Sequence, residues 1–404
     1  AIVVRDTGVG ISEELRGRIF GRFEKGSAAV RRGASGSGIG LSLVKELVDA
    51  HGGTITIESP RGGGSIFRIS LPAQPTNSGT KLSAEISPAA ILSTLKQVAD
   101  WQLVHPSSSN QRYTERAWTW GAFYTGLMAL SQIADSTKYH DAMLAKAKSF
   151  NWEPAPRIYH ADDHCVSQSY LELYFKDREP AMFGPTKQRF DYILAHPATN
   201  DLRMGTRGAQ DRWNWCDALF MGPPAWIRLY KATGDARYLD FMDREWRATS
   251  AYLYDPEEHL YFRDSTYFDK REANGKKIFW SRGNGWVLAG LARVLPFFPA
   301  DDPRRKLYEQ QFKEMAAKIA SLQQADGLWR SSLLDPQSYP LQETSGSGFY
   351  TFALAWGINN GLLDRATYEP VVRKGWTALV ACVTPDGKLE HVQPVGADPK
   401  HFEP

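Results

Sequence analysis

The run Arg212-Trp213-Asn214-Trp215-Cys216-Asp217-Ala218-Leu219-Phe220-Met221-Gly222 sets one carboxylate between two indoles and an apolar helix start. Indoles offer broad apolar faces on which sugar rings stack. A carboxyl group beside them loses hydration, which lifts its pKa toward the range useful for proton transfer. Asp217 also stands where a helix N-cap belongs, because residues 218–230 carry apolar side chains at helical spacing. From these residues alone, capping and proton transfer are both open to it.

Four more segments place polar residues at helix starts behind aromatic ones. They are Tyr159-His160-Ala161-Asp162-Asp163-His164, Leu260-Tyr261-Phe262-Arg263-Asp264, Trp280-Ser281-Arg282-Gly283-Asn284-Gly285-Trp286 and Glu343-Thr344-Ser345-Gly346-Ser347. Asp162 is either a cap or a second carboxylate opposite Asp217. Arg282, flanked by indoles, is either a helix-start ion-pair partner or a clamp for a substrate carboxylate. Glu343 fits an N-capping turn. No further Cys or His ligands accompany His160 and His164, so neither metal nor cofactor is expected. Ser42 has no His and Asp at a credible arrangement for a triad.

The elements that must position these groups are helices. Residues 87–103 start with Ser-Pro, and Ile91, Leu95, Val98 and Leu103 share one face. Helices are predicted over 119–134, 138–150, 163–176, 181–195, 218–232, 236–252, 283–297, 303–322, 346–360 and 367–380. Short polar joins recur at 134–139, 233–238, 301–305 and 363–368, between aromatic-rich and more charged helices. That alternation predicts helical hairpins closed into an α/α toroid, with an open array as the alternative. In a toroid the loops before the inner helices converge at one end, which gathers the five segments into a pocket. About eleven helices are counted where six hairpins need about twelve, so the ring is expected to lack its last helix, as if cut short.

Residues 1–75 read differently. Ala1 to Asp6 form a buried strand, Ser12 caps a helix through about Phe20, a helix follows Gly36–Gly40, and residues 54–59 and 65–71 form a hairpin. Glycines ahead of a helix N-terminus let backbone amides approach phosphate. Asp6-Thr7-Gly8-Val9-Gly10-Ile11, Ile19-Phe20-Gly21-Arg22-Phe23 and Gly36-Ser37-Gly38-Ile39-Gly40 resemble, in order, the first glycine box, the phenylalanine box and the second glycine box of sensor histidine kinase ATP-binding domains. The resemblance implies a partial α/β fragment with Asp6, Gly8, Gly10, Gly36, Gly38 and Gly40 as vestigial nucleotide-binding residues. The family's magnesium-binding Asn helix and phosphoacceptor His do not precede Ala1, so ATP binding and kinase activity are not expected. Residues 76–85 read as a polar linker and 86–404 as the toroid.

The whole chain has 404 residues and a net charge of +3, with no basic stripe to suggest nucleic acid. Its 13 Trp and 17 Tyr fit a bulky core, a carbohydrate cleft or both. Three cysteines in apolar surroundings argue for free thiols. No apolar run approaches a membrane span. The resemblance to kinases implies a cytoplasmic location, with the periplasm as the alternative.

The blocks Trp215–Gly222, Trp280–Trp286, Glu343–Ser347 and Asp162–Tyr174 resemble, in the same order, the signatures of glycoside hydrolase family 105, the unsaturated rhamnogalacturonyl hydrolases, and more distantly family 88. The resemblance implies an (α/α)6 barrel and an unsaturated uronyl oligosaccharide as the partner. It also implies a reaction in which a protonated Asp delivers its proton to C4 of a C4=C5 double bond, water adds at C5, and the hemiketal opens to release the sugar at C1. Asp217 would carry the proton and Asp162 would hold the water or a sugar hydroxyl. Trp213, Trp215, Trp280 and Trp286 would stack, and His160, Arg263 and Arg282 would bind substrate. Some relatives have His at the position of Arg263. A pectin-derived uronyl-rhamnose disaccharide is the expected substrate. An ATP-binding signalling protein with a helical module, or two truncated genes joined without function, are the alternatives.

Overall fold

The computed structural model describes residues 2–8, 10–21, 40–50, 53–60, 63–70, 85–105, 114–206 and 208–402. It divides into two compact units, Ala1–Gly79 and Thr80–Pro404.

The first unit contains β1 (Ile2–Arg5), α1 (Glu13–Arg16), α2 (Gly40–Ala50), β2 (Thr54–Glu58) and β3 (Ile66–Ser70). The strands form an antiparallel sheet in the order β1-β3-β2, with Phe67 opposite Val4 on one side and Ile57 on the other. The hairpin stands where the alternating pattern puts it. β1, expected to be buried, is an edge of this sheet and leaves Val3 and Val4 exposed. The helix after Ser12 is shorter than expected. Ser12 makes no side-chain cap and none of the helix's residues is buried, so neither force extends it past Arg16. Asp6 accepts from the backbone N–H groups of Gly8 and Ser65, at 2.8 and 3.2 Å, and so pins the first glycine turn. Gly10 follows in the left-handed region and Gly40 opens α2. Gly36, Gly38 and most of the expected linker lie outside the described residues.

The second unit is helical. Its helices are α3 (Pro88–Val104), α4 (Trp118–Ile133), α5 (Lys138–Ser149), α6 (Ser167–Asp177), α7 (Gly184–Ala195), the short α8 (Ala218–Met221), α9 (Pro223–Thr233), α10 (Ala236–Leu253), α11 (Ser281–Val294), α12 (Arg305–Ser321), α13 (Thr344–Asn359) and α14 (Arg365–Ala381). A two-stranded ribbon, β4 (Tyr254–Asp255) and β5 (Leu260–Tyr261), follows α10. Ser87 caps α3 as its Ser-Pro start requires, accepting from the N–H of Ala90. The 218–232 helix breaks at Gly222, because Pro223 and Pro224 bring no N–H to a continuous ladder. For the same reason the predicted 181–195 and 283–297 helices give way near Pro185 and Pro296 to 3-10 turns at Pro180–Met182 and Leu295–Phe297.

Helices α4, α6, α9, α11 and α13 pack side by side as an inner row, and most are joined to the charged helix that follows them in the chain. α11 is buried at nearly every position, as a helix enclosed by others must be. Its glycines allow that closeness. A Cβ at Gly290 would stand 2.4 Å from the carbonyl oxygen of Leu219 in α8. Tyr350 of α13 donates to the carbonyl of Ser281 at 2.6 Å, which ties α13 to the start of α11. The core is dominated by large side chains such as Trp226, Trp246, Tyr308 and Trp329, each contributing about 1.5–3 kcal/mol or more through burial.

The Gly290→Ala variant is expected to lose about 2–3 kcal/mol in denaturant unfolding, because the new methyl meets backbone that cannot swing away. Gly348→Ala, also on an inner helix but with nothing within 4 Å of its added Cβ, is expected to be neutral or slightly stabilised.

Candidate active site

The five predicted segments meet. Trp215 bridges to Asp264, Trp280 to Ser332 and Trp329 to Glu343, while the Cys216 N–H donates to the Arg263 carbonyl at 2.9 Å. These backbone ties fix where each side chain starts. Glu343 is the cap that its sequence suggests, accepting from the N–H groups of Ser345 and Gly346 at 2.7 and 2.8 Å while fully buried.

Asp217 is no cap. Its backbone is already helical and its carboxylate accepts from no helix N–H. Instead Oδ2 lies 3.3 Å from the Cys216 thiol, which donates to it, and 4.0 Å from Nε of Arg263. The carboxyl keeps 13% of its side-chain surface, enough to meet a ligand in an otherwise dry position. Burial raises its pKa above the ordinary carboxylate range, and Arg263 is the strongest opposing influence, ahead of the Cys216 thiol and Arg282. Burial also raises the thiol's own pKa, so Cys216 keeps the proton it donates. Gly283 makes room for this contact, since a Cβ there would lie 2.9 Å from Sγ of Cys216.

Asp162 sits on a 3-10 turn, Ala161–His164, that the sequence pattern had merged into the following helix. Burial, and then the charge of Asp217, push its carboxyl up to about 7 against the pull of Arg157 and Arg263. Arg157 and His160 stand at 3.8 and 3.7 Å from Asp162. His160 accepts from the Asp162 N–H and tilts against Trp215 with ring centroids 4.8 Å apart. Burial, followed by Arg157, lowers its pKa to about 4, so the imidazole is neutral. The adjacent Asp163 is held by Arg157 and structures the turn.

Arg263 donates from Nη1 to the buried Asp264 at 2.6 Å, while its Nε is buried with no hydrogen-bond partner among the described residues. Arg282 is placed otherwise than a substrate clamp requires. Nη1 and Nη2 donate to the carbonyls of Gln393 and Pro394, and the guanidinium lies 4.8 Å over Trp280. Trp280 in turn donates from Nε1 to Oε1 of Gln393 at 2.8 Å. Residues 393–398 thus form a strap over the start of α11, also held by Tyr267, whose hydroxyl donates to Asp398 at 2.8 Å. No motif in the sequence marks that strap.

The indoles divide into two sets. Trp215 lies with His160 at the carboxylates, and Trp286 packs on Phe220, Phe349 and the half-buried Trp118. Trp213 faces away into the core against Phe241 and Gly222, and Trp280 is enclosed beneath the strap. Trp118, against Trp286, and the thiol of Cys216, on Asp217, join the site without a motif that marks them. The thiol was signalled only by its place beside Asp217. Among the described residues no group of three or more His, Cys, Asp or Glu side chains could hold a metal ion, and no helix is long and apolar enough to cross a membrane.

Asp217 and Asp162, both with raised pKa, thus influence one another and share the neighbourhood of Arg263, with Trp215 and His160 alongside. Residues 94–403 match the family model described as Glycosyl Hydrolase Family 88. The chain belongs to this family. It is 41% identical over 350 residues to the unsaturated 3S-rhamnoglycuronyl hydrolase of Formosa agariphila, a match covering 83% of this chain and 89% of that protein. The solved family 88 structure from Bacteroides vulgatus aligns with a TM-score of 0.68 at 31% identity, covering 76% of this chain and 90% of that one. Another solved structure, titled a polysaccharide lyase, aligns with a TM-score of 0.69 at 32% identity over 76% and 88%. The helical unit is therefore that of a glycoside hydrolase, with the α/α barrel architecture of its neighbours. Residues 1–75 match the model described as Histidine kinase-, DNA gyrase B-, and HSP90-like ATPase. Over 91 residues, 22% of this chain and 9% of the other, the chain is 44% identical to the sensor histidine kinase AruS of Pseudomonas aeruginosa.

A carboxyl that titrates at about 7 in the fold, against an ordinary 3.8, binds more protons folded than unfolded between those values. Stability therefore falls as pH rises through that window, and the full penalty persists above it. The Asp162→Asn variant is expected to be more stable than the parent above neutrality, by on the order of 2–4 kcal/mol, with the difference vanishing near about pH 4. Thermal melts across that range check the sign.

Proposed function

We propose that the helical unit hydrolyses unsaturated uronyl-rhamnose disaccharides derived from pectin, by hydration of the C4=C5 double bond with Asp217 as general acid and base. The observation that carries this reading is Asp217 itself: a carboxyl whose pKa burial raises above the ordinary range, uncapped, and facing a cationic guanidinium. A carboxyl raised in this way takes up a proton more readily than an exposed one and can release it to a carbon that becomes basic as the enol ether polarises. The name of the Formosa relative, an unsaturated rhamnoglycuronyl hydrolase, supports the substrate class.

The proton on Asp217 forms the new C–H bond at C4. The cation at C5, shared with the ring oxygen, is taken by water, whose released proton returns to Asp217. Asp162 holds that water or a neighbouring hydroxyl. The hemiketal then opens to a ketone at C5, which leaves C1 as a hemiacetal; this collapses to an aldehyde, its hydroxyl proton passing to the leaving sugar, which departs with its oxygen. Trp215 and Trp286 supply the stacking faces, and His160, neutral, contributes a hydrogen bond to substrate. Flattening of C4 and C5 erases the stereochemistry that separates galacturonic from glucuronic acid. Discrimination between pectin fragments and other uronyl-rhamnose fragments therefore falls on the contacts made by the leaving sugar.

The expected result is disappearance of the double bond's ultraviolet absorbance when the protein meets the unsaturated disaccharide. Asp217→Asn is expected to slow that loss about 10²–10⁴-fold. Full activity in that variant would remove Asp217 from the chemistry. Absorbance appearing from a saturated polymer would instead place the chain beside the structure titled a polysaccharide lyase.

A further inference from the structure

We propose that Arg263 is a shared counter-ion that couples substrate binding to protonation of Asp217: in the free protein its guanidinium stands beside the Asp217 carboxylate, and on binding its unpartnered Nε–H turns to the uronate carboxylate. The inference deepens the function proposed above and rests on it for the nature of the anion. It begins from an imbalance. Nη1 of Arg263 is committed to Asp264 at 2.6 Å, whereas Nε is buried, lacks a hydrogen-bond partner among the described residues and stops 4.0 Å short of Asp217. A buried N–H on a charged group left without an acceptor is destabilising, and an incoming carboxylate removes that cost. Nε of Arg282 is likewise buried without a hydrogen-bond partner among the described residues, but its outer nitrogens are fixed by the carbonyls of residues 393–396 and its influence on Asp217 is weaker than that of Arg263.

The charges facing the pair make the coupling directional. Asp217 meets Arg263, Arg282, the neutral Cys216 thiol and, across the site, Asp162. Arg263 meets Asp217 and Asp264, and Asp162 additionally meets Asp163 and Arg157. The neighbouring imidazole of His160 is uncharged. Within this set, Arg263 is the largest influence keeping Asp217 ionised against its burial. An anion that takes the guanidinium cancels that influence and adds a like charge nearby. Asp217 then gains a proton, and the acid is armed only when the substrate is seated. An anchor that served binding alone would leave Asp217's protonation unchanged.

The test uses calorimetry on the full chain with a saturated glucuronyl-rhamnose disaccharide, which has no double bond to react, in buffers of different ionisation enthalpy near neutrality. The parent protein is expected to take up roughly half a proton or more per disaccharide bound. Asp217→Asn should bind the disaccharide without that uptake. Arg263→Gln should weaken binding at least about tenfold, and Arg263→Lys should keep both binding and uptake. Binding without proton uptake by the parent would overturn the proposal, as would undiminished uptake in Asp217→Asn, which would move the proton to Asp162. Undiminished affinity in Arg263→Gln would seat the carboxylate elsewhere and overturn it too. None of these readings needs turnover, so loss of the hydrolase assignment and loss of the counter-ion assignment are told apart.

Discussion

Ionising a carboxyl group away from water is costly, and the site at the mouth of the inner helices is organised around that cost. Asp217 is surrounded by Trp215, Cys216 and the packed start of α11, so its neutral form is favoured by burial. One guanidinium, Arg263, stands against that tendency from 4.0 Å. A site with the burial alone would hold a permanently protonated acid, and a site with a tight ion pair would hold a permanent carboxylate. The gap between Nε and Oδ2 leaves the balance open to a ligand.

Keeping that balance requires positions accurate to a fraction of an ångström, and the fold supplies them through backbone bridges and through side chains that bond to backbone. The bridges from Trp215 to Asp264 and from Trp280 to Ser332 join loops that belong to different hairpins. Asn284 reaches from α11 to both the N–H and the carbonyl of Tyr261, at 2.7 and 3.0 Å, and so sets the ribbon that carries Arg263. Glu343 orders the start of α13, whose Tyr350 holds the start of α11. Each is a polar group satisfied in a buried place, where a slipped register would leave an unpaired donor.

Much of this was legible in the sequence. Helical periodicity and the recurring polar joins placed eleven long helices with small boundary errors, because those helices bury broad apolar faces. The errors fell at proline and glycine, as at Gly222-Pro223-Pro224, where local backbone rules override periodicity. Convergence of the aromatic-polar segments was legible as well, since each precedes a helix that must face inward. Which residues share a face at the site was not. Trp213 and Trp215 stand two apart in the chain, yet one lies with His160 and the other packs on Phe241. The strap at 393–398 carries no motif, because its role depends on carbonyl groups that every residue possesses.

The two arginines show why residue type cannot decide function by itself. Arg282 and Arg263 both follow aromatic residues and both lie among carboxylates and indoles. They differ in what already occupies their donors. The strap saturates the outer nitrogens of Arg282, which makes that residue a fastener between α11 and the C-terminal segment. Asp264 takes only Nη1 of Arg263 and leaves Nε uncommitted. Nε of Arg282 is also buried without a hydrogen-bond partner among the described residues, but Arg263 is the one that stands 4.0 Å from Asp217 and most strongly opposes the rise in its pKa. A sugar flattened at C4 and C5 keeps its carboxylate as its one full charge, so recognition of that sugar and arming of the acid can run through the same guanidinium.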